Sequence, residues 1–337
     1  MKKNGIIIIV LAVSAVLLLL ANLFWGAISI PTADVTSALT GGECDDAIRY
    51  IILESRLPQA LTALMAGAAL SASGLMLQTI FRNPLAGPSI LGITSGASLG
   101  VALVLLFFGG WIGVAGSDFG GNIAIMIGAL LGSCIIMALL ILLSLRVKNN
   151  LILLIAGMMT GYFANSVVTL LSSLSTEQSI QSYVMWGMGN FSSVSLERLP
   201  WFVVISLIGL VIAMLLAKPL NLLLLGDNYA KNLGVNVLRV RNWLLVATGL
   251  LSSIVTACCG PIGFVGLAMP HIARLLTRTD NHLVLMPATM LCGSILTLLC
   301  NLISVMPEGQ IIPINALTPI AGVPVVLYVI LKRRRSA

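Results

Sequence analysis

Six cysteines and two histidines are the residues of this chain best suited to hold a metal or attack a substrate, and their placement supports neither role. Cys134, Cys258, Cys259, Cys292 and Cys300 sit inside apolar runs, and only Cys44 lies in a polar stretch. No C-x-x-C pair and no neighbouring histidine completes a ligand set of familiar spacing. Small apolar residues that pack helices are the simpler reading of these cysteines. His271 and His282 stand singly near the ends of apolar runs, where structure is their ordinary use. Neither a catalytic set nor a metal site is expected.

Energy-converting chemistry is equally hard to find. There is no G-x-x-x-x-G-K-[ST], no dinucleotide fingerprint and no H-E-x-x-H. No apolar run carries a central Asp or Glu, the group that a proton- or sodium-coupled carrier typically needs. Gln78 and Asn301 are the strongest polar candidates within the runs, and either could simply bond one helix to another. A chain of this kind draws its energy from a partner. The competing reading is a self-sufficient secondary carrier or channel, uncoupled to ATP; an intramembrane enzyme ranks last, because no paired catalytic groups occur.

The elements that position these residues are membrane helices. Of 337 residues, 58% are hydrophobic and 9% charged, far below the roughly 25% charge of a soluble domain. So little charge cannot clothe a water-facing surface, and the solvent must be mostly lipid. Apolar runs near the ~20 residues needed to cross lie at 6–25, 57–80, 89–110, 123–145, 150–173, 198–217, 241–259, 260–277, 283–304 and 313–331. The first is too long for a cleaved signal segment and reads as a retained helix. The eighth holds Gly260, Pro261, Gly263, Gly266 and Pro270, so a kinked or partly unwound span is expected there. Together they predict an all-α integral membrane protein of ten crossings, one domain over 1–337.

Ten crossings from a cytoplasmic N-terminus place fifteen of the 18 basic residues inside, Lys148 and Lys332 to Arg335 among them. Only Arg49, Arg56 and Arg198 are left outside, and of the 11 acidic residues only Asp227 and Asp280 fall inside. That asymmetry sets the orientation, with both termini cytoplasmic, and explains the net charge of +7 without a nucleic-acid surface. Small residues recur every four positions at Ala63/Gly67/Ser71, Gly92/Gly96/Gly100, Gly128/Gly132 and Gly157/Gly161, as close helix contacts require.

Two loops are long enough for function. Loop 26–56 lies outside and carries Glu43, Asp45, Asp46, Arg49, Glu54 and Arg56, a solvated edge or a docking edge. Segment 218–240 lies inside. Pro219 and Gly226 bracket one short helix, and Asp227 can cap a second that ends at Gly234. Leu225, Ala230 and Leu233 form its apolar face, opposite Asp227, Asn228 and Lys231. One lysine balanced by one aspartate is a poor lipid anchor, so a protein groove is the expected partner. Outside, Ser179 to Asn190 should form an interfacial helix through Tyr183 and Trp186.

Three ordered stretches resemble the permease subunits of ABC importers for iron complexes (siderophores, haem) and vitamin B12. They are Arg56-Leu57-Pro58 through Arg82-Asn83-Pro84 to Leu91-Gly92; Leu225-Gly226 with Ala230, Leu233-Gly234-Val235 and Arg241; and Gly260-Pro261 through Pro270-His271 to Arg274 and His282. The resemblance implies a type II importer fold, a homodimer around one pathway, two cytoplasmic ATPase subunits holding ATP and magnesium, and an external binding protein, periplasmic or lipid-anchored. No cofactor of the chain's own is implied. It makes 218–240 the ATPase-coupling segment, with Leu225, Gly226, Asp227, Ala230, Leu233 and Gly234 as its positions, and Ala230→Glu the substitution that would stop transport in a folded chain. It puts Asn149, Asn150 and Leu151 at the cytoplasmic gate and Arg56, with Arg49 or Arg198, at the docking face. Two places depart from the family: Gln59 stands where R-L-P-R has its second arginine, and Asn301 and Val305 stand where an aspartate and a later arginine are usual.

Overall fold

A computed structural model of the chain describes residues 2–108, 118–147, 149–305 and 312–334, and every regular element among them is helical. α1 (Lys2–Phe24) leads to two short helices, α2 (Thr32–Thr40) and α3 (Asp46–Tyr50). A π-helical turn, Ile51–Arg56, then runs into α4 (Leu57–Phe81). α5 (Ile93–Ala102), α6 (Asp118–Arg146), α7 (Asn150–Ser173) and the short α8 (Glu177–Gly187) follow. After α9 (Leu199–Leu215) come α10 (Ala217–Leu224) and α11 (Asp227–Asn232), then α12 (Val237–Cys259), α13 (Val265–Thr277), α14 (His282–Val305) and α15 (Ile314–Arg334). Lys148 and Arg335, counted above on the inner side, lie outside the described residues, as do 109 and 110 at the end of the third expected span.

Each of the ten apolar windows carries a helix, but among the described residues six helices have the length and hydropathy to cross a membrane alone. α9 and α10 form a seventh candidate, bent by 45° where they meet. The bend has a local cause. Pro219 has no N–H to offer the carbonyl of Leu215, so the α9 ladder stops there. Ile93–Phe107 and Ile314–Tyr328 are shorter apolar helices in two further windows, and the 13-residue α13 occupies a third.

The eighth window is broken as its glycines and prolines demand. Residues 260–264 are irregular and the helix starts only at Val265. Protein covers this backbone: Asn190 N–H donates to the Cys259 carbonyl (2.9 Å), and Gly263 N–H donates to Asn315 Oδ1 (3.3 Å). Loop 26–56 is folded, with Val35 and Ala38 of α2 buried together with Ile52.

α4 runs through the centre, buried along most of its length. The four-residue stripes are its contacts and those of its neighbours. A Cβ on Gly67 would collide with Gly293 of α14, one on Gly74 with the Gly266 carbonyl of α13, and Gly96 and Gly100 of α5 lie against Gly132 and Gly128 of α6. Lipid gives helices no hydrophobic reason to associate, so such backbone-to-backbone contact is the main attraction available. Residues Gly96 to Gly100 also spell G-x-S-x-G, but they lie inside α5 and not at the strand-to-helix turn that exposes a nucleophilic serine.

Candidate functional site

The segment after α9 forms a bracket packed against the helical body. α10 buries Ala217, Leu220 and Leu223, which fixes one side of it. Gly226 turns the chain at φ 115°, a conformation glycine adopts without a Cβ penalty. Gly226, and not Asp227, is the N-cap of α11, which corrects the expected capping role. Asp227 is instead the first helical residue, and its carboxylate accepts from Arg82 Nη2 at 2.8 Å. At the other end, Asn221 Oδ1 accepts from the His282 N–H (2.7 Å) and its Nδ2 donates to Asn281 Oδ1 (2.8 Å).

The expected apolar face divides into two. Ala230 is completely buried and joins the main core, whereas Leu225, Tyr229 and Leu233 are 62%, 54% and 54% exposed. Ala230→Glu is therefore the wrong probe of a partner. It would force a carboxylate into a filled site, and the expected result is a lost bracket, measured as protease sensitivity within 218–240. Tyr229 belongs with the exposed set, though the sequence reading passed over it. Its i+4 spacing from Leu225 and to Leu233 was the available signal.

The three arginines expected on the external side have different surroundings. Arg56 is buried, donating from Nη1 to the Leu23 and Phe24 carbonyls (2.9 and 3.2 Å) and from Nη2 to that of Ile28 (2.5 Å). A helix end leaves its last carbonyls unpaired, and Arg56 closes the end of α1 in this way. Its guanidinium is thus committed inward, a correction to its expected place on a docking face. Arg56→Ala is expected to cost about 2–4 kcal/mol of stability, since charged hydrogen bonds are lost. A melting midpoint in detergent that does not move would contradict this, and Arg56→Lys should recover only part, having no planar fork. Arg49 is half-buried and donates to the Gly42 carbonyl (2.6 Å). Arg198 lines a cavity of about 380 Å³ with Met126, Trp186 and Cys258, while Arg56 lines another of about 200 Å³ with Trp25, Gln59 and Asn301.

The two departures from the family pattern are partners. Gln59 Nε2 donates to Asn301 Oδ1 (2.9 Å), and Asn301 Nδ2 donates to Asn22 Oδ1 (2.8 Å). Asn22 returns the bond to the carbonyls of Leu18 and Leu298. A neutral amide chain thus ties the start of α4 to the C-terminal ends of α14 and α1. Asn22 was missed, yet it is the one amide inside the first apolar run.

At the expected gate, Asn149 caps α7 by accepting from Leu151 N–H (2.8 Å), and Leu151 is exposed. Asn150 Nδ2 donates to the Ile80 carbonyl (2.9 Å) and its Oδ1 accepts from Arg241 Nη1 (3.2 Å). Arg241 also donates to the carbonyls of Ser144 and Val147. Both histidines serve packing: His271 Nε2 meets the Pro84 carbonyl, and His282 bridges Thr79 and Asn221.

A glycine-packed body of long apolar helices, with a short bracket packed against it, is the architecture of a polytopic membrane protein. Residues 13–332 match the FecCD transport family, and the chain belongs to that family as the permease component of an ABC importer. It is 35% identical over 289 residues, 84% of each chain, to the vitamin B12 import system permease protein BtuC of Salmonella typhimurium strain LT2. The protein of that name from Salmonella typhi is 34% identical over the same length. Its fold is similar, with a TM-score of 0.84 and 33% identity, to a solved structure described as an inward-facing ABC transporter of metal-chelate type; the match covers 97% of this chain and 99% of that one.

Proposed function

We propose that two copies of this chain, each a single permease domain with ten crossings and both termini in the cytoplasm, form an inner-membrane pathway for an iron complex (ferric siderophore or haem) or for cobalamin. Cargo arrives on an external binding protein, and two ATPase subunits drive import. The observation that carries this reading is the apolar surface of Leu225, Tyr229 and Leu233 on a bracket clamped by Arg82 and Asn221. Large apolar side chains on a short polar segment need a groove to fill, and Lys231 alone on α11, with Asp227 taken up by Arg82, is far from a polybasic lipid anchor. Docking of the binding protein falls to Arg49 and Arg198, with Arg56 shaping the edge beside them.

The homodimer has its own support on α7. Tyr162, Asn165, Ser166 and Thr169 share one exposed face at i, i+3, i+4 and i+7. The Ser166 and Thr169 hydroxyls bond back to their own helix, but the Asn165 carboxamide has no partner among the described residues. In hydrocarbon that group would be costly. A wet pathway between two copies satisfies it, with Leu151 at its inner mouth.

Reconstitution tests the whole reading. Vesicles holding the chain, its ATPase and its binding protein should accumulate radiolabelled cobalamin, haem or ferric siderophore only with ATP inside the cytoplasm-equivalent face. Gradient-driven accumulation by the chain alone would favour a secondary carrier and overturn the proposal.

A further inference from the structure

One turn at the inner end of α4 reaches five other elements. Gln78 donates from Nε2 to the Leu267 carbonyl of α13 (3.1 Å) and accepts from Arg274 Nη1 (2.9 Å). Thr79 Oγ1 lies 2.8 Å from His282 Nε2 at the start of α14, and His282 Nδ1 lies 2.9 Å from Asn221 Oδ1 in α10. The Ile80 carbonyl accepts from Asn150, the first residue of α7, which in turn accepts from Arg241 of α12. Arg82 reaches Asp227 of α11 and, at 3.4 Å, the Leu223 carbonyl of α10.

We infer that residues 78–82 are the junction that makes the bracket α10–α11 and the inner end of α7 move as one body, with Arg82 and Asn150 as its positioning residues. This rests on the proposed coupling role of the bracket. Two features of the turn argue for it. Arg82 is left-handed at φ 46°, a C-cap place where glycine or asparagine is the ordinary choice, and asparagine stands one residue later. Keeping a long cation there is explained by what its side chain reaches. The pair with Asp227 is 54% and 36% exposed, so it contributes little to folding and its value lies in registering one element against another. The second feature is the helix end. Asn83 N–H takes the Gln78 carbonyl and Arg82 N–H that of Thr79, while the Ile80 carbonyl is left for another element to satisfy. Asn150 does so, and any displacement of α4 is therefore felt at the start of α7.

The test uses vesicles containing the complete importer and whichever of radiolabelled cobalamin, haem or ferric siderophore the wild type accumulates, read as cargo moved per ATP hydrolysed. Arg82→Gln changes an exposed side chain and should fold. It is expected to keep the ATPase bound and hydrolysing while cargo per ATP falls about threefold to thirtyfold, and Asn150→Ala should do the same. The double variant should fall no further than the deeper single, because either cut opens the same link, whereas independent effects would multiply. Wild-type cargo per ATP in both singles, or multiplying losses, overturns the junction. A wild-type importer that moves none of the three cargoes with ATP overturns the proposed function itself and the junction with it.

Discussion

Leu233→Asp combined with Leu225→Asp is expected to abolish ATP-driven uptake while the chain still reaches the membrane folded. Both side chains are more than half exposed, so neither substitution opens a cavity or buries a charge. In a groove, however, a desolvated carboxylate is severe. Central apolar anchors of an interface commonly carry about 2–4 kcal/mol each, a weakening of about 30- to 1,000-fold per site. Retention of the ATPase subunit on the immobilised chain measures the effect directly, and an unchanged melting midpoint shows that folding is intact. The contrast with Ala230→Glu separates the two faces of the bracket: one variant loses the partner, the other the local fold. Full uptake by the double variant would leave the exposed leucines without a role and would sink the coupling assignment.

Gly74→Leu should have the largest effect on folding. A Cβ at this position would overlap the Gly266 carbonyl, and a backbone carbonyl cannot swing aside as a side-chain tip can. Overpacking costs about 1–3 kcal/mol where neighbours can yield, so this site belongs at or above the upper end. The expected outcome is aggregated or degraded protein in place of a monodisperse peak in detergent. Gly187→Ala is the matched control, because a Cβ there meets nothing within 4 Å. Equal yields of the two variants would mean that α4 and α13 do not pack as described.

The sequence settled the solvent. Composition and run length are sums over the chain, and no folding can turn 58% hydrophobic and 9% charged into a water-soluble surface. It also located the irregular eighth window and the small-residue stripes, since Gly-Pro breaks and i+4 spacing are local properties of the backbone. The bracket was legible for a similar reason: polar and turn residues interrupt the apolar runs around Leu225 and Leu233.

Only the tertiary structure decided what each polar or charged group does. Arg56 reads as an exposed cation until α1 ends beside it and offers two carbonyls, with a third from Ile28 just beyond. Ala230 and Leu233 look alike on a helical face, yet one is sealed and the other open. Gln59 and Asn301 are separated by most of the chain, and nothing local announces that they share a hydrogen bond. Periodicity fixes which side of a helix a residue occupies, but its partner is fixed by which helix packs there. Between membrane helices that choice rests on backbone contact at Gly67 and Gly74, whose mates Gly293 and Gly266 lie on distant segments, and at Gly96 and Gly100, which meet the next helix in the chain.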